Sequence, residues 1–536
     1  MPAARGGRSA KPGRGVVGSV GDGIGAPASP PNGSAGDPAS SSWDVVVVGG
    51  GVSGLVSALE LQRAGLRVAV VEARRAVGGR VRASDSGGHW LDLGAQWVGE
   101  PHDGLRALLA EFGLRLYDAA HGLTAVVWQG RRCTFDGDMS FGILPESVGG
   151  RPSAGPVLSA SELLDVAQGW ARLEAIISRL PAVALDPGAP PGRPLAAALA
   201  QLPHEDALRA LDAESMSSWI ARNLATPFGR FFFSAMCSSL GPIGPAAPRE
   251  MSVLLFCVGQ RAAPQRLGPE RFLGHGGLAQ LPPLLAAQLR RGGGQVLCGL
   301  RCHAVAHGPA GVALTCLGAS GDASRVVELN ARAAVLACAP ALVAQVSFSP
   351  PLCAARQQLL QRFPMGTCLK VLARYGEPFW KREGGSGLAG GLGDCAYVET
   401  LADASDPEAA PFGGVVAAFV TADKYRRWAA LPTAQLRREA LLADLVALLG
   451  DERARSPHTL ELADWPADAL AQGGYGGFPG LGALTELGSV WAEPFGRLFF
   501  AGSELSDRWP GYVEGAIRSG RRAAIQVQTT LPLSRL

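Results

Sequence analysis

Three glycines and one acid set the first chemical constraint on this chain. Gly49, Gly51 and Gly54 fall in the spacing G-x-G-x-x-G, and Glu72 follows 18 positions after the last of them (72 − 54). Such a set can hold a dinucleotide. The first glycine permits a tight turn, the second lets backbone approach a pyrophosphate, and the third lets a helix pack closely on the sheet. The acid then reaches a ribose hydroxyl. A second constraint is Lys370, which sits in the apolar run Cys368-Leu-Lys-Val-Leu. An ammonium among apolar neighbours is costly unless it is paired or its pKa is lowered. That favours a functional lysine over one that lays its stem along the surface and its head in water. Tyr475 and Tyr512 are flanked by Gly473, Gly474 and Gly511, which leave their rings room to face a cavity; core packing is the competing reading.

These residues need elements to hold them. Val45–Val48 is a short apolar strand of the kind buried on both faces. A helix from about Val52 to Ala64 follows, with its N-terminal N–H groups available to phosphates. Val68–Val71 is a second strand, which Glu72 ends. In the next segment, Ala73 to Arg80, the fork-shaped guanidinium groups of Arg74 and Arg80 and the Gly78-Gly79 backbone suit phosphate oxygens, whereas Arg75 reads as a solvated charge. Near the other end, RLFFAGSELSDRWPGYVEGAIRSGRRAA reads as strand, turn and helix closing on the same site. The fold class is therefore α/β, with a Rossmann-type domain interleaved with an α+β substrate-binding domain.

The predicted organisation has residues 43–117, 272–345 and 465–530 in the cofactor domain, and 118–271 and 346–464 in the substrate domain. Helical spacing marks SELLDVAQGWARLEAIISRL and DALRALDAESMSSWIARNL. The apolar stretch Ala333–Ala344, broken by Pro340, reads as a buried strand turning into a loop. An apolar share of 47%, a charged share of 18% and a net charge of +3 suit a large-cored enzyme and exclude a basic nucleic-acid surface. No apolar run reaches the length of a membrane span. Ten cysteines without C-x-x-C pairs and eight scattered histidines indicate neither a metal site nor a disulfide framework. Free thiols fit a reducing compartment. His303 and His307 are four apart but flank a strand and turn, so they share no helical face.

Residues 1–42 are rich in Gly, Pro, Ala, Ser and Arg and are expected to be disordered. Arg5, Arg8, Lys11 and Arg14 with no nearby acid give the composition of an organelle transit peptide. Residues 531–536 form a tail ending in Ser534-Arg535-Leu536, a basic variant of the S-K-L address. A peroxisome, with its import receptor as partner, is the expected location; cytoplasm or a plastid is the alternative.

From Trp43 to about Ala524 the chain resembles the flavin-containing amine oxidases, nearest to the monoamine oxidase branch. The likeness rests on six motifs in order: VVVVGGGVSGL, VEARRAVGGRV, LDLGAQWVG, PMGTCLKVLARYGEPFW, DWPADALAQGGYGGFPG and FFAGSELSDRWPGYVEGA. It implies the glutathione-reductase-like flavoprotein architecture, with FAD as cofactor. Glu72 would hold the adenosine ribose, and Ala73, Arg74 and Arg80 would lie along the phosphates. Gly94, Ala95, Gln96 and Trp97 would line the flavin edge, with Trp465 packing near the ring. Cys302 would meet adenine through its backbone, Ser503 and Glu504 the ribityl phosphate, and Gly511, Tyr512 and Val513 the polar edge of the flavin.

The resemblance further implies that Lys370 holds a water against the flavin, and that Tyr475 and Tyr512 form an aromatic cage around the substrate amine. One position departs from the monoamine oxidase pattern. Gly474 stands where a cysteine bonds covalently to the flavin, so FAD is expected to be non-covalent. The implied reaction takes a primary or secondary amine to an imine, then an aldehyde, with O2 reduced to hydrogen peroxide. A polyamine oxidase would need acids such as Glu270, Asp394 or Glu399 along its entrance. An L-amino-acid oxidase would need an arginine facing the substrate carboxylate, and a non-catalytic flavin-binding scaffold is the alternative of another class. Phe231, Phe232 and Phe233 could line the entrance, but helix core is the simpler reading. Oligomeric state is left open.

Overall fold

The structure, a computed structural model, describes residues 43–85, 90–119, 122–136, 158–181, 191–192, 205–239, 243–264, 267–318, 325–381 and 388–531. Residues 1–42 and the Ser534-Arg535-Leu536 terminus lie outside them.

The glycine turn sits where the sequence places it. Strand β1 (Trp43–Val48), helix α1 (Val52–Arg63) and strand β2 (Val68–Glu72) form one βαβ unit. Val45, Val46 and Val47 have no solvent exposure, as strands covered on both faces require. The sheet runs in the order Gln295–Cys298, β2, β1, Val326–Leu336, Gly311–Gly318, Leu300–Gly308, Ser347–Ser349, and Leu498–Phe500 pairs with Val326–Leu336 off that path. Strands from three separate stretches of chain thus build one sheet, and Ser347–Ser349 carries it a few residues past position 345. His303 and His307 lie in its strand Leu300–Gly308. Pro340 does not lead into a loop, because Pro340–Val343 forms a short helix with proline in its first turn, where the missing N–H costs nothing.

A second sheet has the order Thr459–Asp464, β3 (Cys368–Tyr375), Gly414–Thr421, Thr400–Asp403, Leu388–Gly393, Leu123–Trp128, Arg131–Asp136. Strand β3, second from the edge of this sheet, carries Lys370, registered opposite Phe419 on one side and Ala463 on the other. Helix α2 (Val513–Thr530) returns the end of the chain to the first sheet. Leu55 and Leu59 of α1 share a core with Ile517 and Ala524 of α2, which fixes the two ends of the chain against each other.

The helical region holds Ala160–Ile177, started by a reciprocal capping box between Ser159 and Glu162. The stretch DALRALDAESMSSWIARNL is two helices, Glu205–Ala213 and Met216–Asn223. Ser215 causes the break: its hydroxyl accepts from Ser218 N, and the Met216 N–H leaves for Met251 O at 2.8 Å. Phe232 and Phe233 are core, and Phe231 stacks on Trp128 at 5.1 Å. Among the described residues no helix is long and apolar enough to cross a membrane, no cluster of three metal-ligating side chains exists, and the cysteines carry free thiols.

Candidate active site

One cleft runs from the βαβ unit to β3 and α2, enclosing about 1530 Å³ of empty space counting its open mouth. At one end the chain leaves β1 at Gly49, whose φ of +109° an L side chain rarely adopts. A Cβ on Gly54 would stand 2.0 Å from Gly49 O, so the helix can approach the strand only with glycine there. Helix α1 starts at Gly51 with no side-chain cap, leaving its first N–H groups for a ligand at the cleft. Gly78 bridges to Gly51, and Gly78 and Gly79 form the opposite lip. The Glu72 carboxylate accepts from Gly50 N and Arg74 N, both at 2.7 Å, and burial raises its pKa. Ala73 lines the same wall.

Arg74 and Arg80 line the cleft, each already tethered to a carboxylate. Arg74 bonds Asp468 at 2.7 Å, and Arg82 reaches the same acid at 3.0 Å. Arg80 grips both oxygens of Glu504 and also donates to Tyr475 O at 2.7 Å. The Glu504 carboxylate does not line the cleft; it accepts from Arg80, from Gly477 N at 3.1 Å and from Ser503 Oγ at 3.0 Å. A buried carboxylate must be paired, and the pairing turns it away from the cleft. Ser503, Cys302, Gly511 and Val513 do line the cleft, Val513 as the first residue of α2.

At the other end lie Gly94, Ala95, Trp465, Lys370, Tyr475 and Tyr512. A Cβ on Gly94 would meet Arg80 O at 2.0 Å, and the Trp465 indole donates to Leu93 O at 3.2 Å. Lys370 is 2% exposed. Its ammonium donates to Asp92 O at 2.7 Å, Gly94 O at 2.8 Å and Gln96 Oε1, so all three protons are taken by protein oxygens. The water assigned to Lys370 by resemblance would have to share one of them. Burial lowers the pKa to about 8, opposed by the Asp92 charge.

Gln96 and Trp97 were expected at the flavin edge, but they stand behind Lys370. Gln96 is buried, and the Trp97 ring lies 5.6 Å from the ammonium and 5.7 Å from Phe419. The lysine's need for acceptors draws the Gln96 amide inward. Trp97 begins a short strand paired with Leu273, which carries it off the cleft.

Both tyrosine hydroxyls point into the protein. Tyr475 donates to Ser239 O at 2.5 Å, and Tyr512 bonds the Glu270 carboxyl. Burial raises the pKa of Tyr475 well above 10 and that of Glu270 to about 7. The rings of His102 and Trp509 brace Tyr512 at 5.3 and 5.8 Å. Of the three candidate acids, Glu270 and Glu399 act electrostatically on Tyr475, whereas Asp394 is spent on Gln129 N at 2.7 Å. Asp468, Asp92, Phe419 and the Glu270–Tyr512 pair were missed. Asp468 and Asp92 carried a signal, their places inside the DWPAD and LDLGAQWVG motifs.

A sequence profile described as flavin containing amine oxidoreductase matches residues 52–528. This chain belongs to that family. It is 36% identical to an L-amino acid dehydrogenase of Synechocystis over 487 residues, covering 90% of this chain and 94% of that one. It is 29% identical to the flavin-containing amine oxidase B of Sus scrofa, covering 91% and 86%. Among solved structures, cyclohexylamine oxidase from Brevibacterium oxydans superposes with a TM-score of 0.77 at 26% identity, covering 91% of this chain and 99% of that one. A putrescine oxidase triple mutant gives the same TM-score at 25% identity, with the same coverage.

The enzyme is an oxidoreductase acting on amines, with FAD as cofactor and the α/β flavoprotein fold. The cleft fits FAD: uncapped helix N–H groups and close-approach glycines stand where its phosphates would lie, and Glu72 is the acid that would hold its ribose. The fit is non-covalent. Gly474 offers no thiol, and burial raises the pKa of Cys338 and Cys368, which line the cleft, to about 12. Protonated thiols are poor nucleophiles.

Proposed function

We propose that the enzyme oxidises a primary or secondary amine to an imine, released as aldehyde after hydrolysis, and passes the electrons to O2 to give hydrogen peroxide. The observation that carries this reading is that Lys370, Tyr475 and Tyr512 line the far end of the cleft that begins at Gly49 and Glu72. Bound FAD supplies the hydride-accepting chemistry, and the protein supplies orientation and electrostatics. Because both tyrosine hydroxyls are engaged elsewhere, the cage offers ring faces rather than acids. Ring faces attract an arriving ammonium and then hold the neutral amine by shape. Lys370, pinned by three oxygens, places a positive charge beside the reacting end below about pH 8.

A second reading is favoured by one observation, the 36% identity to an L-amino acid dehydrogenase. On that reading the substrate is an amino acid, and an acceptor other than O2 takes the electrons. Anaerobic mixing of the purified holoenzyme with monoamines, polyamines and L-amino acids, followed by air or a quinone, separates the two. Bleaching by amines and peroxide on admitting air support the oxidase. Bleaching by amino acids alone, with reoxidation only by quinone, supports the dehydrogenase, and no bleaching by any of them refutes both.

We also propose a peroxisomal location, supported by the Ser534-Arg535-Leu536 terminus. A fluorescent protein fused ahead of the chain should enter peroxisomes, and deleting the tripeptide should leave it outside. Uptake that ignores the deletion refutes the proposal.

A further inference from the structure

Behind Lys370, on the side away from the cleft, lies a second, small cavity. Its walls include Asp92, Gln96, Tyr117, Leu372, Ala404 and Asp406. Its volume is about 30 Å³, room for one or two waters at about 10–15 Å³ each. Gln96 separates it from the lysine. The amide oxygen accepts from Lys370 Nζ, which fixes the amide orientation, and Nε2 is then left buried with no protein partner. A buried amide N–H without a partner is costly, about 1–3 kcal/mol, so this orientation of the amide reflects the need of the Lys370 ammonium for its oxygen.

The geometry points to Gln96 as the positioning residue that orients Lys370 and sets its protonation. The inference rests on the reading of Lys370 given above, and it names what that lysine depends on. The groups facing Lys370 are few. Asp92 approaches from the strand Trp90–Asp92, with its carboxylate held by Leu278 N at 2.7 Å and Ala279 N at 3.1 Å. Cys368 shares its strand, and Asp464 is registered opposite Leu369. Tyr475 lies across the cleft, while Tyr117 and Asp406 stand across the cavity, Asp406 tied to His275 Nδ1 at 2.9 Å. Among the described residues, Gln96 is the one side chain that hydrogen-bonds the ammonium.

The test uses two holoenzyme variants with opposite expected signs. Gln96→Leu removes an acceptor from the ammonium, so the pH at which Lys370 loses its proton should fall. Gln96→Glu puts a carboxylate there, so it should rise by about one to three pH units. The readout is the pH dependence of unfolding stability, measured against each variant combined with Lys370→Met, and then the alkaline limb of amine-dependent flavin reduction. A residue that merely fills space would move both variants the same way, and that result overturns the proposal. Because the stability readout needs no turnover, failure here is distinguishable from failure of the amine-oxidation reading.

Discussion

Replacing Lys370 with methionine tests the electrostatics of the site most directly. An ammonium that ordinarily titrates near 10.5 is brought down to about 8 by burial. The unfolded chain therefore holds this proton more tightly than the folded one between those two values. Where the unfolded state binds more protons, stability rises with pH. At pH 7 the folded protein carries the whole penalty of a buried ammonium, and by pH 10.5 that penalty is gone. At about 1.36 kcal/mol per pH unit the window is worth about 3.4 kcal/mol. The three oxygen acceptors favour the charged form, so this figure is an upper bound. Wild type should gain up to about 3 kcal/mol from pH 8 to 10.5 relative to Lys370→Met, in which the group is absent. Urea unfolding followed by tryptophan fluorescence at several pH values gives the comparison, since titrations elsewhere cancel in the difference. The variant should also lose flavin reduction by amine. Stability curves that run parallel across the window would refute the argument that Lys370 is desolvated.

Gly54→Ala places a methyl group 2.0 Å from Gly49 O; helix α1 must move off β1, and the purified protein should lose most of its visible flavin absorbance. Glu504→Gln leaves Arg80 without its counter-charge and should cost about 3 kcal/mol, the low end for a broken buried pair, because Arg80 is partly exposed. A double-mutant cycle with Arg80→Met should return part of that loss, and additive losses would show that the two do not interact. Glu270, raised to about 7 by burial, gains charge as pH passes that value. The apparent affinity for a cationic amine should therefore strengthen more from pH 6 to 8 in the wild type than in Glu270→Gln, where only the Lys370 titration near pH 8 remains, read from the amine dependence of flavin reduction.

The cofactor end of this protein was legible because it is local. The Gly49-x-Gly51-x-x-Gly54 turn, the apolar strands and Glu72 lie within one βαβ unit, and each obeys a short-range rule of turn, period or packing. The ring end was legible only in part. Lys370 stood out because a charge in an apolar strand violates the pattern around it. Its partners did not, since Asp92 O, Gly94 O and Gln96 Oε1 lie 274 or more positions away in sequence.

The motifs that hold Gln96, Glu504 and Trp97 do not show where these residues are spent: the Gln96 amide on Lys370, the Glu504 carboxylate on Arg80, and Trp97 in a short strand with Leu273. Likewise, nothing local in DALRALDAESMSSWIARNL shows that Met216 N–H will be claimed by Met251 O. By itself the sequence determined the fold class, the dinucleotide cradle and the membership of Lys370, Tyr475 and Tyr512 in one site. Only the tertiary structure decided which polar atoms pair, because buried donors and acceptors must find partners, and those partners come from whichever distant segment the packing brings within about 3 Å.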